Sequence, residues 1–351
     1  MSLDVVGNLA KDTTGGNGTI HCIDSQNQAA NPLAPLVQGS SEKAKFPTLS
    51  NPIILDGGMS RELMRLNAPF RQPEWSALAL IEAPHLVEQV HRDFATAGAD
   101  VLTTNSYALV PFHIGAERFE QHGQELAGLA GRLARSAADH ERIRSKRRVL
   151  VAGSLPPVFG SYRQDLFDAE RVDSYLEVLV RGLSPHIDIW LGETLSSIAE
   201  AKAVERAVMR TGKPLWIAFT LNDNEESTPA ASLRSGESVK EATCWACSSS
   251  AESLLFNCSR PEFMDSALND AKSVISQQSR SIPLGVYANA FEPKPRPHAA
   301  NEVIMPTRDD MSVKSYSELA WGWVANGATI VGGCCGICCE HIAQLTQDVR
   351  S

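Results

Sequence analysis

Short apolar runs recur along most of this chain, separated by longer amphipathic stretches. The first run, Pro52-Ile53-Ile54-Leu55, ends on Asp56-Gly57-Gly58. Between Pro84 and Ala97, Leu86, Val87, Val90 and Phe94 fall on one face at helical spacing. The alternation predicts further strands over 101–104, 149–153, 187–191, 215–219, 253–256, 283–287 and 328–331. It predicts further helices over 115–140, 168–183, 197–209, 238–248, 261–275, 312–326 and 340–349. That is eight strands, seven crossover helices and a terminal helix. Strands alternating with helices pair in parallel. Eight such units in roughly 300 residues fit a single-domain α/β fold, the (β/α)8 TIM barrel, which closes the sheet and removes its edges. A doubly wound open sheet would ordinarily carry a glycine-rich nucleotide fingerprint after its first strand, and Asp56-Gly57-Gly58-Met59 is not one.

Residues 1–48 break this pattern. They are rich in Gly, Asn, Ser, Thr and Gln, show little periodicity, and are expected to form a flexible N-terminal extension to a domain spanning 49–351. Cys22 lies there and is not expected to be a ligand.

Composition narrows the class. The chain has 351 residues, 43% hydrophobic and 21% charged, which is ordinary for a globular protein. A net charge of -9 leaves no basic stripe for nucleic acid. The basic cluster Arg142 to Arg148 reads as a solvated helix end, where cations are favoured. No apolar stretch approaches a membrane span, and the N-terminus lacks the apolar region of a secretory signal. Eight cysteines in a chain this long suit reduced thiols and metal chemistry better than a disulfide scaffold, so a cytoplasmic location is expected.

Chemistry concentrates at strand ends. Cys258 closes Leu254-Leu255-Phe256-Asn257-Cys258, and Cys334-Cys335 follow Val331-Gly332-Gly333. Two strand ends delivering three thiolates to one point would make a zinc site, with the fourth tetrahedral position left for substrate or a weak ligand. A disulfide or plain buried packing are the alternatives, although neighbouring cysteines do not easily bridge to each other. In a barrel the C-terminal strand ends share one mouth. The polar residues there are Asp56, Thr104-Asn105-Ser106, Glu193-Thr194, Thr220, Asn257, Asn289 and the cysteines. Each has a plainer reading: Asp56 shapes a turn, Glu193 caps a helix, Asn289 sits in a loop. Gly332-Gly333 is expected to turn the backbone sharply. Trp75, in the loop after the first strand, is the tryptophan placed to matter; Trp245, Trp321 and Trp323 read as helix packing.

Asp56-Gly57-Gly58-Met59, Glu74-Trp75-Ser76, Ala97-Gly98-Ala99-Asp100, Gly192-Glu193-Thr194-Leu195, Asn257-Cys258 and Gly332-Gly333-Cys334-Cys335 occur in this order. Over about 52–350 the chain thereby resembles the homocysteine S-methyltransferase family. The resemblance implies a zinc-bearing barrel in which homocysteine binds the metal through sulfur. It implies Cys258, Cys334 and Cys335 as zinc ligands, Asp56 and Glu193 as holders of the amino-acid end, and Asn289 as a displaceable fourth ligand. Thr104 and Asn105 join the substrate candidates. No residue beyond the zinc site is expected to be catalytic. The family usually continues Gly-Gly-Cys-Cys with Thr-Thr-Pro, and has glycine two positions after the asparagine. Here Ile337-Cys338-Cys339 and Phe291 stand instead, removing the usual helix cap and altering the donor side.

These implications add up to zinc-dependent methyl transfer to homocysteine, giving methionine. The Glu-Trp-Ser segment, the compact length and the short C-terminus look most like users of S-methylmethionine or S-adenosylmethionine. Betaine-type donors, a non-catalytic metal or thiol-redox protein, and a zinc hydrolase with Glu193 as base are the rivals. The partners expected are small-molecule substrates, with neither nucleic acid nor membrane, and the oligomeric state is open. The nine histidines read as surface or packing residues, with His341 in the first turn of the last helix rather than on metal.

Overall fold

The computed structural model describes residues 52–223, 231–292 and 306–350, so the expected extension over 1–48 lies outside the described residues. The order begins β1 (Ile53–Ile54), α1 (Met59–Arg65), α2 (Ser76–Glu82), α3 (Pro84–Ala97), β2 (Val101–Thr103), α4 (Pro111–Ile114) and α5 (Ala116–Ser145). It continues β3 (Leu150–Leu155), α6 (Val172–Leu183), β4 (Ile189–Leu195), α7 (Ile198–Val208), β5 (Leu215–Phe219) and α8 (Val239–Ser248). It ends β6 (Ala251–Asn257), α9 (Met264–Ile275), β7 (Leu284–Tyr287), α10 (Val313–Ala325), β8 (Ile330–Val331) and α11 (Cys339–Arg350). All eight expected strands and their crossover helices are present, and the strands pair in parallel in the order β1-β8-β7-β6-β5-β4-β3-β2. A parallel bridge between Leu55 and Val101 joins β1 to β2, completing the barrel.

Three helices were not foreseen: α1, α2 and the four-residue α4 before α5. α1 and α2 occupy the connection between β1 and α3, which the apolar pattern left as loop. α1 is seven residues long and buries Glu62, a charged position that hides its inward face from a hydrophobicity reading. α5 runs to Ser145, with Arg142 and Arg144 in its last turn, where the helix dipole favours cations.

The period-2 alternation of the strands sorts the core into two layers. Leu55, Val101, Ala152, Ile189, Leu191, Trp216, Ala218, Leu255, Tyr287 and Ile330 fill the barrel interior. A larger shell, including Ile54, Leu102, Val151, Trp190, Ile217 and Phe256, packs the outer strand faces against the helices. The alternation also sets what reaches the mouth. Ile189 and Leu191 point inward, so Glu193 does too, and Ala152 leads by the same step to Ser154. No described helix is long and apolar enough to cross a membrane.

Candidate active site

β6 and β8 deliver the cysteines. Cys258 follows the last residue of β6 and adopts φ 51°, which turns its side chain away from the strand alternation. Cys334 and Cys335 follow β8 through Gly332-Gly333. These glycines are needed for close approach rather than for the sharp turn expected of them. A Cβ on Gly332 would meet Leu55 Cβ at 2.5 Å, and one on Gly333 would strike the Ile337 side chain. The left-handed residue of this loop is Gly336, at φ 87°. The segment after β7 fastens both cysteine-bearing ends. Cys258 N–H donates to Tyr287 O at 3.3 Å, Cys334 N–H to Ala288 O at 2.9 Å, and Ala290 N–H to Cys335 O at 2.9 Å.

The three sulfurs converge. Cys335 Sγ lies 3.8 Å from Cys258 Sγ and 3.9 Å from Cys334 Sγ, and all three sulfurs lie within 4.8 Å of one another. Cys258 and Cys334 are joined as a disulfide, with Cα atoms 5.7 Å apart. A metal ion can enter this set only when that pair is reduced to thiolates. Three sulfurs at mutual contact fit zinc, which takes thiolate ligands in tetrahedral sites.

Two buried carboxylates share the same cavity. Asp56 Oδ2 accepts the Thr103 backbone N–H at 2.7 Å, and its Oδ1 accepts the Thr103 hydroxyl at 2.9 Å. Glu193 Oε1 accepts from the Ser154 hydroxyl in a short contact, and Oε2 accepts from Tyr287 O–H at 3.4 Å. Burial pushes each carboxyl up to about 7, outweighing the hydrogen bonds that favour the charged form; the nearby Glu193 charge raises Asp56 further. Neither is a simple turn former or helix cap. The cap of α7 is Ser197, whose hydroxyl accepts from Glu200 N–H in a capping box.

The cavity of about 190 Å³ is lined by Asp56, Glu193 and the three cysteines at the strand ends, and by Met59, Arg61, Met64, Phe70, Trp75 and Phe291 farther along the connections. Thr104 and Asn105 also line it. Thr104 Oγ1 accepts the Ser154 N–H at 3.0 Å, and Asn105 Nδ2 donates to Ser76 O at 3.1 Å, so both are tied into the wall. Asn289 is buried but is not among the lining residues; its Oδ1 accepts the Phe291 N–H at 3.2 Å. Its neighbour Tyr287 lines the cavity instead. Thr103, Ser154, Tyr107 and Tyr162 are contributors the sequence reading missed. The first two follow from strand alternation. Tyr107, bonded to the Ser161 hydroxyl at 2.7 Å, and Tyr162, at φ 65°, sit in loops without a sequence signal.

At the start of α11, Cys338, the Cys339 backbone and His341 are held by structural contacts. Cys339 N–H donates to Glu62 Oε1 at 3.0 Å, so a carboxylate from α1 caps α11 where the family's own cap is missing. Glu62, Cys338 and Glu340 do gather within 4.8 Å, but Glu62 is already held by Arg65 at 2.7 Å and by that cap. His341 lies in the first turn of α11, as expected, with Nε2 donating to Met311 O at 3.2 Å. Burial lowers His91 and His113 to about 4, which keeps both neutral near pH 7.

Comparison with known proteins agrees with this geometry. The family model for homocysteine S-methyltransferase matches residues 53–349. The homocysteine S-methyltransferase YbgG of Bacillus subtilis is 27% identical, over 85% of this chain and 95% of its own length. Two crystal structures of the homocysteine methyltransferase MmuM from Escherichia coli superpose well. The metallated form gives a TM-score of 0.71 at 26% identity, covering 86% of this chain and 97% of that one. The oxidized form gives 0.67 at 26% identity, covering 86% and 96%. A barrel whose match runs from its first strand to its last helix, with thiols and carboxylates gathered at one mouth, settles the relationship: this chain belongs to the homocysteine S-methyltransferase family.

Proposed function

We propose that this enzyme transfers a methyl group to homocysteine from a sulfonium donor, S-methylmethionine or S-adenosylmethionine, at a zinc site made by Cys258, Cys334 and Cys335. The observation that carries this reading is the meeting of three cysteine sulfurs and two buried carboxylates in one cavity. When bound, zinc supplies a Lewis acid that keeps the acceptor sulfur as thiolate at neutral pH. The three cysteines hold it in their reduced state, which a reducing compartment such as the cytoplasm maintains. The Asn289 amide oxygen accepts the Phe291 N–H and Asn289 does not line the cavity, so the three cysteines would hold the metal and the homocysteine sulfur would join them.

Asp56 and Glu193 bind the homocysteine ammonium. Burial disfavours their charged forms, and an ammonium placed between them would offset that cost. Thr103, Ser154 and Tyr287 fix the carboxylate oxygens in place. The apolar wall of Met59, Met64, Phe70, Trp75 and Phe291 excludes water from the reacting sulfurs. In the transfer, a new bond forms between the acceptor sulfur and the methyl carbon. The bond from that carbon to the donor sulfur breaks and leaves its electron pair on the donor. Opposite charges cancel, so no general acid is required. The dry wall strengthens this electrostatic gain.

A donor screen tests the reading. Reduced, zinc-loaded enzyme with homocysteine should form methionine from S-methylmethionine, more slowly from S-adenosylmethionine, and not from betaine or methyltetrahydrofolate. Turnover with betaine alone would overturn the donor assignment and leave the acceptor site intact. No turnover with any donor, despite bound zinc, would favour a metal or thiol-redox role.

A further inference from the structure

Among the described residues, one cation on the cavity wall is engaged by neither the thiol nor the ammonium of homocysteine. Arg61 is the only lysine or arginine among the described residues that line the cavity. His113 also lines it, but burial lowers that imidazole to about 4 and leaves it neutral. Arg61 stands in α1, five positions beyond Asp56, on the same helix face as the lining residue Met64. It is half-buried, and its guanidinium lies over the Phe291 ring, 5.6 Å from the centroid. Stacking on an aromatic face orients the planar fork and lowers the ordering cost of meeting a carboxylate.

The cavity thus has two zones. Asp56, Glu193 and the cysteines sit at or just past the strand ends. Arg61, Met64 and Phe291 belong to the connections beyond them. An acceptor with its sulfur at the cysteines and its ammonium at the carboxylates is confined to the first zone. In-line transfer brings the donor to the side of the methyl group opposite the acceptor sulfur, and the connections carry the lining groups left to meet it there. The geometry points to Arg61 as the residue that binds the carboxylate of the methyl donor. It would select amino-acid sulfonium donors over sulfonium compounds without a carboxylate. This inference rests on the sulfonium-donor reading above.

The test compares two donors on three proteins. S-methylmethionine and its decarboxylated analogue, (3-aminopropyl)dimethylsulfonium, differ only in the carboxylate. With wild type, the analogue should react with a lower kcat/KM. Arg61→Gln should raise KM for S-methylmethionine by roughly 10- to 100-fold, the range for losing a charge-assisted contact, while KM for homocysteine and for the analogue stays unchanged. Arg61→Lys should recover part of the loss. An equal loss for both donors would reduce Arg61 to a structural support of Phe291. A raised homocysteine KM would assign it to the acceptor. Either result overturns the inference while wild-type turnover keeps the donor reading. If wild type turns over neither sulfonium, the donor reading fails and the inference falls with it.

Discussion

Asn257 grips Thr194 at both ends of its amide. Its Oδ1 accepts the Thr194 backbone N–H at 3.0 Å, and its Nδ2 donates to Thr194 Oγ1 at 2.9 Å. Thr194 follows Glu193 and adopts φ 59°; Asn257 precedes Cys258, which adopts φ 51°. Left-handed backbone at such residues costs about 1–3 kcal/mol each and persists only where neighbours hold it. One fully buried side chain therefore locks the carboxylate-bearing strand end to a cysteine-bearing one.

Asn257→Ala leaves the Thr194 N–H without its acceptor and should lower stability by about 2 kcal/mol. Because Glu193 and Cys258 then lose a common brace, the homocysteine KM should rise and zinc retention should weaken together. Chemical denaturation, metal analysis and steady-state kinetics read the three effects. A stability loss with normal KM and full zinc would show that the amide merely packs.

Cysteine substitutions separate ligands from bystanders. Cys258→Ala, Cys334→Ala and Cys335→Ala should each remove most of the zinc, about one ion per chain in the reduced wild type, and leave a folded barrel. Cys338→Ala and Cys339→Ala should keep it, since the backbone N–H of Cys339 rather than its thiol meets Glu62. Full zinc occupancy in Cys334→Ala would rule out this ligand set.

How much of this was legible follows from what each feature depends on. The eight strands and their order came from apolar runs, because a strand covered on both faces is nearly all hydrophobic. Asp56, Glu193 and the cysteines were legible because a closed parallel barrel sends every strand end to one mouth. Helix α1 was not, because Glu62 is buried for a purpose set by Cys339, 277 residues later in the chain. Thr103 was passed over for Thr104, because a one-residue shift in register exchanges the inward and outward faces. Gly332 and Gly333 were assigned to turning, whereas Leu55 and Ile337 impose their lack of side chain through contacts that only the folded barrel creates.

Trp75 sits at φ 52°, edge-on to Phe70 with ring centroids 5.6 Å apart, and lines the cavity. An aromatic face near a sulfonium contributes about 0.5–2 kcal/mol of cation–π attraction. Trp75→Leu keeps an apolar wall but loses that face. It should lower kcat/KM for the sulfonium donor by roughly 10-fold, with zinc content and homocysteine KM unchanged. A loss confined to the homocysteine KM would move Trp75 to the acceptor side.

Glu193→Gln tests function and stability against each other. Glu193 faces Ser154, Tyr287, Tyr107 and the charge of Asp56, and burial pushes its carboxyl up to about 7 from an ordinary 4.5. The folded enzyme therefore holds a proton between those values that the unfolded chain has released. Stability of the ligand-free enzyme falls as pH rises through that window and is lowest above it. The glutamine variant lacks this titration. Its Tm should exceed that of wild type at pH 8, and the difference should shrink by pH 5. Homocysteine reverses the order, because its ammonium needs the ionised carboxylate and a ligand stabilises only the protein that binds it. Wild-type affinity should rise through pH 7, and the variant should bind more weakly by about 2 kcal/mol. A variant less stable than wild type at pH 8 without ligand, and equal to it in homocysteine affinity, would return Glu193 to an ordinary structural role.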